Sequence, residues 1–305
     1  AAMKPSIFFL TMVVVSILAC NAPGQPSVAE KKEYEAEIKT WYASREATLK
    51  APNGWLNLVG LFWLNPGSNS FGSDSAKQLV FPAGKIVSDA GYFELRGDTV
   101  RLLARPEAAV TIQGQLVREA VLYPTITPSP VQVQCGSLRW TIIQRDSLLG
   151  VRLRDLDSKL LTNFRGIDHF PIDINYRVKA RFEKADSQRS IAITNVLGQT
   201  KPEKSPGTLV FTLNGKECRL DVLVEKDDYF LIFADATTGQ DSYAGGRFLY
   251  VKKAVGDEQL VVDFNKAINP PCVFTPYATC PLPPVQNRLP ISVQAGEKKY
   301  GHDQQ

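Results

Sequence analysis

The sequence predicts a mainly β protein. An N-terminal helix precedes a β-sandwich, and a larger antiparallel β domain follows, closed by a proline- and cysteine-rich C-terminal loop. Three observations carry this reading. From Trp55 onward the apolar residues recur with a period of two in short runs, the signature of half-buried strands. Asn65-Pro66-Gly67, Pro82-Ala83-Gly84, Arg96-Gly97-Asp98 and Gln113-Gly114 punctuate those runs, at the close turn spacing of a sandwich, with no βαβ alternation. Finally, Asn269–Pro290 holds seven prolines, and proline fixes φ and removes a donor, so this stretch is neither helix nor central strand.

Composition narrows the function classes. The chain has 305 residues, 44% of them hydrophobic and 22% charged, which is ordinary globular composition with length for about two domains. The formal net charge of +4 is small and evenly spread, so no nucleic-acid partner is expected. His169 and His302 are the two histidines, which excludes chemistry built on a histidine cluster.

At the N-terminus, Lys4 precedes an apolar run from Ile7 to Ala19. The run is short for a membrane span and has the form of a signal peptide, residues 1–19. Ile17-Leu18-Ala19-Cys20 resembles the lipobox of bacterial lipoproteins. That resemblance implies lipidation of Cys20 and a membrane as partner. The expected location is the bacterial cell envelope, on the periplasmic face and at the outer membrane. A plain secretory signal is the alternative. Residues 20–29 then form a tether.

A helix is expected from about Ala29 to Lys50. Ser27 is the candidate cap, Tyr34, Ile38, Trp41 and Leu49 make one apolar stripe, and Pro52 with Asn53-Gly54 ends it. β-prone runs follow at Gln78–Phe81, Tyr92–Leu95, Val100–Leu103, Val110–Ile112 and Leu116–Tyr123. Their order resembles a forkhead-associated (FHA) sandwich, with Phe71-Gly72-Ser73-Asp74 and Thr111-Ile112-Gln113-Gly114 at two of its turns. Ser73 stands where that family reads phosphate with arginine, so the resemblance implies architecture and not phosphopeptide binding.

Thr125–Pro130 is the expected boundary, dividing a helix-plus-sandwich region (30–124) from a C-terminal β domain (131–300). In the latter, Leu138–Asp155 reads as a hairpin. Tyr176–Phe182, Ile191–Val196, Gly207–Leu213, Glu217–Val224, Tyr229–Ala234 and Phe248–Val251 read as further strands.

Several specific motifs occur together: Trp55-Leu56 with Gly60-Leu61 and Trp63-Leu64; Ser205-Pro206-Gly207; Asp235 with Thr237, Gly239, Tyr243 and Gly245-Gly246-Arg247-Phe248; and Asp263–Lys298 with its two cysteines. With these the chain resembles the DUF1684 family, of unknown function, over roughly residues 35–300. The resemblance implies a fold and no activity.

Cys272 and Cys280 sit in that last motif, with seven residues between them. A disulfide and a pair of free structural thiols are both open readings. The spacing disfavours zinc. A Cys–His nucleophile would need His169, which lies among apolar neighbours and reads better as packed. The charged residues of the motifs are Asp235, Arg247, Asp263 and Glu297. Asp235 and Asp263 each follow an apolar strand, so with Tyr243, Asn265 and Asn269 they could line a pocket. The structural alternative is an Arg–carboxylate network that pins the proline-rich loop. Gly245-Gly246 reads as a turn, not a phosphate cradle, because no helix follows.

The leading expectation is therefore a small or extended ligand bound beside residues 263–297. A hydrolase using the Asp235, Asp263 and Glu297 carboxylates is the second, and a scaffolding lipoprotein the third. No metal or cofactor is expected.

Overall fold

The computed structural model describes residues 26–125, 128–186, 189–253 and 259–301. Cys20, the expected leader and His302 lie outside the described residues. Helix α1 (Val28–Lys50) starts at the predicted cap. Ser27 Oγ accepts from the Glu30 N–H at 3.2 Å, and the Glu30 carboxylate accepts from the Ser27 N–H at 2.7 Å, a reciprocal capping box. Of the expected stripe, Tyr34, Ile38 and Leu49 are buried and Trp41 is half-buried. The helix ends where the Asn57 side chain donates to the Ala51 carbonyl at 2.5 Å. A Cβ on Gly54 would stand 2.1 Å from the Leu49 carbonyl oxygen, so the reversal after α1 admits no side chain.

Eleven strands make the first β unit: β1 (Leu58–Trp63), β2 (Gly67–Gly72), β3 (Leu79–Val80), β4 (Gly91–Arg96), β5 (Thr99–Ala104), β6 (Thr111–Ile112), β7 (Gln115–Leu116), β8 (Glu119–Tyr123), β9 (Val133–Cys135), β10 (Leu138–Arg145) and β11 (Leu148–Asp155). One sheet runs β3-β2-β4-β5-β8 and the other β1-β11-β10-β9-β6-β7. A single core joins them, with Phe71, Phe81 and Trp140 in ring contact at 5.3–6.1 Å.

The boundary expected at Thr125–Pro130 falls inside this unit and needs correcting. β11 is the ladder partner of β1, from Leu58↔Arg154 to Trp63↔Gly150, and Val133, Trp140 and Leu153 complete the first core. The hairpin at Leu138–Asp155 thus covers β1, which would otherwise present two unpaired edges.

The second unit holds β12 (Arg177–Lys184), β13 (Ser190–Thr194), β14 (Thr200–Lys204), β15 (Gly207–Leu213), β16 (Lys216–Glu225), β17 (Asp228–Phe233), β18 (Arg247–Lys252) and β19 (Leu260–Asp263). Six of these form one sheet, ordered β18-β17-β16-β15-β12-β19. It curls until its edge strands β18 and β19 touch, which nearly closes it. β13 and β14 form a separate hairpin.

The C-terminal stretch closes this domain as expected. Leu289, Ile291, Val293 and Ala295 alternate into its core. The Leu289 N–H donates to the Ala234 carbonyl at 2.8 Å. The Asn287 side chain donates to the carbonyls of Asp221 and Ile232, at 2.9 and 3.0 Å, and accepts from the Asp221 N–H at 2.7 Å. Buried backbone groups are thereby satisfied where no strand could reach them.

Candidate functional site

The sequence-predicted residues separate into three groups. Asp235 follows β17 and Arg247 opens β18, so two adjacent strands bring them together. Arg247 is wholly buried. Its Nη2 donates to Asp235 Oδ2 at 2.8 Å and to the Val293 carbonyl at 2.9 Å, and its Nη1 to the Ala295 carbonyl. The guanidinium lies 5.2 Å from the Phe233 ring centre and 5.7 Å from that of Phe170. Burial pushes its pKa down, against the opposing pull of Asp235. The other Asp235 oxygen accepts from the N–H groups of Thr237 and Val293 at 2.8 and 3.2 Å. This pair is the network that pins the C-terminal loop to the strands.

Asp263, Asn265, Asn269 and Glu297 form the second group, and what they hold is helix α1. The Tyr34 hydroxyl donates to Asp263 Oδ1 at 2.7 Å and accepts from Asn265 Nδ2 at 2.9 Å. Arg45 Nε donates to Glu297 Oε1 at 3.1 Å, and its Nη2 to the Asn269 carbonyl at 3.2 Å. Glu297 Oε2 accepts from the Asn269 N–H at 2.5 Å. Tyr42 stacks on His169 with ring centres 3.6 Å apart, and burial pushes the His169 pKa down to about 4. His169 is therefore a packed, neutral side chain on the α1 seat.

Asp235, Asp263 and Glu297 do not form an open acid pair, so the expected hydrolase arrangement is absent from the described residues. Each carboxylate is buried and bonded to protein groups. Sequence reasoning missed Tyr34 and Arg45. Tyr34 lay on the predicted stripe but was read as apolar packing, and nothing in the local pattern marks Arg45.

Tyr243 belongs to a third place. Its hydroxyl lies 3.8 Å from Cys272 Sγ, and Cys280 Sγ accepts from the Cys272 N–H at 3.1 Å. Cys272 and Cys280 are free thiols in this structure. Among the described residues no group of three or more His, Cys, Asp or Glu side chains could hold a metal ion, and no helix is long and apolar enough to cross a membrane.

One open cleft beside the C-terminal loop lies away from all three groups. A cleft of about 450 Å³ runs between the sandwich and the β13–β14 hairpin. Trp63 and Leu148 line it from the sandwich, Ile193 and Leu197 from the hairpin, and Thr279 and Pro281 from the loop. At its rim Lys201 Nζ donates to Asp146 at 2.6 Å, and Arg145 donates to Thr279. A second opening of about 670 Å³ adjoins it, sharing Glu203 and Leu223.

This architecture defines a mainly β protein with a polar helix seated on a nearly closed second sheet. The chain belongs to the family described as protein of unknown function (DUF1684), whose model matches residues 162–298. That span is the second β unit with its closing loop. An uncharacterized protein of Haloarcula marismortui, solved by solution NMR, is 32% identical. The match covers 45% of this chain and 78% of that one, with a TM-score of 0.37. No curated protein matches the chain.

Proposed function

We propose that this chain is an envelope lipoprotein, tethered by lipid on Cys20 at the periplasmic face of the outer membrane. Its ligand would be a small amphipathic molecule held in the cleft between the sandwich and the β13–β14 hairpin. One observation carries the binding reading. Three large apolar side chains, Trp63 (38% exposed), Leu148 (52%) and Leu197 (66%), face one cleft of ligand size. Isolated exposed apolar residues are normal, whereas a cluster in a cleft marks a binding surface. The apolar lining suits the ligand's body. Arg145 and Lys201 at the rim suit an anionic head, because the Lys201–Asp146 pair is largely exposed and weakly held.

Tryptophan fluorescence, titrated with an anionic lysophospholipid below its micelle concentration, tests this. Saturable quenching that is lost in Leu197→Asp and weakened in Lys201→Ala is the expected result. A non-saturable response, or one unchanged in Leu197→Asp, would overturn the ligand assignment. Palmitate labelling tests the anchor separately, and labelling retained in Cys20→Ser would reject it.

A further inference from the structure

We propose that Cys272 and Cys280 form a thiol–disulfide exchange site in which Cys272 attacks and Cys280 resolves. The inference does not depend on the ligand reading. Both cysteines lie in the stiff proline-rich segment: Pro270 and Pro271 precede Cys272, and Pro281 follows Cys280. The chain folds back between them, so that Cys280 Sγ accepts from the backbone N–H of Cys272 at 3.1 Å. A loop whose path the prolines restrict thus holds the Cys280 sulfur against the backbone of Cys272, with the two side chains as hydrogen-bonding neighbours.

The two thiols are not equivalent. Cys272 is half-buried, whereas Cys280 is 3% exposed. An incoming disulfide therefore reaches Cys272 first. The Cys280 thiol and the Tyr243 hydroxyl, 3.8 Å away, both face the Cys272 sulfur. Each can donate to a thiolate there, and this holds the Cys272 pKa down to about 7 against the effect of burial. Cys280 is pushed upward, chiefly by its hydrogen bond with the Cys272 side chain and by burial, which outweigh the opposing pull of the Cys272 N–H and of Arg145. The thiolate is the nucleophile in exchange, so this asymmetry sets the order of events.

The co-reactant is a small-molecule or protein disulfide. The Cys272 thiolate attacks one of its sulfurs, forming a mixed disulfide and releasing the other sulfur as a thiolate. Cys280 then loses its proton to solvent and attacks Cys272 Sγ. The Cys272–Cys280 disulfide forms and the second thiolate leaves and is protonated. The protein dithiol gives up two electrons, and the partner disulfide is reduced to two thiols. Among the described residues Cys135 and Cys218 have no second thiol beside them: their sulfurs contact backbone carbonyls.

The experiment is incubation of the full chain with glutathione disulfide near pH 7, followed by peptide mass spectrometry. The wild type should form the Cys272–Cys280 bridge. Cys280→Ser should accumulate one glutathione adduct, on Cys272, and Cys272→Ser should form neither adduct nor bridge. Because Cys280 is buried and its variant could fold poorly, alkylation of the wild type provides a second reading. At pH 7 iodoacetamide should modify Cys272 roughly tenfold faster than Cys135, whose thiol burial pushes up. Tyr243→Phe should narrow that gap. A wild type that stays reduced, or adducts on Cys135 in preference to Cys272, would overturn the proposal.

Discussion

Arg45 of helix α1 donates from Nε to the fully buried carboxylate of Glu297 at 3.1 Å, across 252 positions of sequence. This contact joins the first element of the fold to nearly the last. A buried carboxylate that loses its partner is left charged in a poorly polarisable site, and such losses cost about 3–5 kcal/mol. Arg45→Met should therefore lower the unfolding free energy at neutral pH by an amount of that order, measured by urea denaturation. Glu297→Gln in the same chain should restore a large part of it, because the orphaned charge is gone. Additive losses in the double variant would mean that the two residues act separately.

The Tyr34 hydroxyl stands between Asp263 and Asn265 on the same seat. Tyr34→Phe removes one donor and one acceptor from a buried trio, at a cost of about 1–3 kcal/mol. The effect should be local. Limited proteolysis should cut first within Val28–Lys50, while the β-sheet core stays protected. Unchanged protection of α1 would show that its apolar stripe alone holds it.

These contacts show what the sequence could and could not reveal. Period-two runs and turn residues marked most strands, and Ser27 and Gly54 marked both ends of α1, because those signals are local. Strand β14 (Thr200–Lys204) was not legible: all five residues are exposed and Pro202 sits among them. That pattern is allowed only where a strand lies at an edge. The candidate charged residues stand out in the sequence because they sit inside the specific motifs, yet their partners were not legible. Asp263 and Glu297 meet Tyr34 and Arg45, more than 200 residues away, and no local spacing encodes such a pairing. The domain boundary was misplaced for the same reason, since β1 pairs with β11 across the whole sandwich.

The seat of α1 also sets opposed pH responses. His169 has a folded-state pKa of about 4 against an ordinary value of 6.5. The unfolded chain thus takes up a proton that the folded chain refuses, and the stability His169 contributes above pH 6.5 is lost as pH falls toward 4. Glu297 has the opposite sign. Burial raises its folded-state pKa, so its carboxyl favours the folded state most at low pH, and that contribution declines as pH rises through the folded value. His169→Phe keeps a ring against Tyr42 and removes the first effect. Its stability should fall less steeply than wild type between pH 6.5 and 4, read from denaturant midpoints across that range. Parallel profiles would show that His169 does not titrate on unfolding.

Arg247 is the most demanding test of the claim that the Asp235 group is structural. Its guanidinium serves Asp235 and the Val293 carbonyl from Nη2 and the Ala295 carbonyl from Nη1. Lysine keeps the charge but offers one compact ammonium that cannot span those acceptors. Arg247→Lys should therefore behave much like Arg247→Met, with losses of about 3–5 kcal/mol, because the loop carbonyls and Asp235 cannot all be satisfied. If charge alone mattered, the lysine variant would retain near wild-type stability. Binding at the cleft offers an independent control. The Val293 and Ala295 contacts lie in the core of the second sheet, whereas the cleft lies at the β13–β14 hairpin. A lysophospholipid affinity that survives in Arg247→Lys, under conditions where the variant is still folded, is the expected outcome. Loss of affinity from a folded variant would place Arg247 in ligand binding and not in closure of the fold.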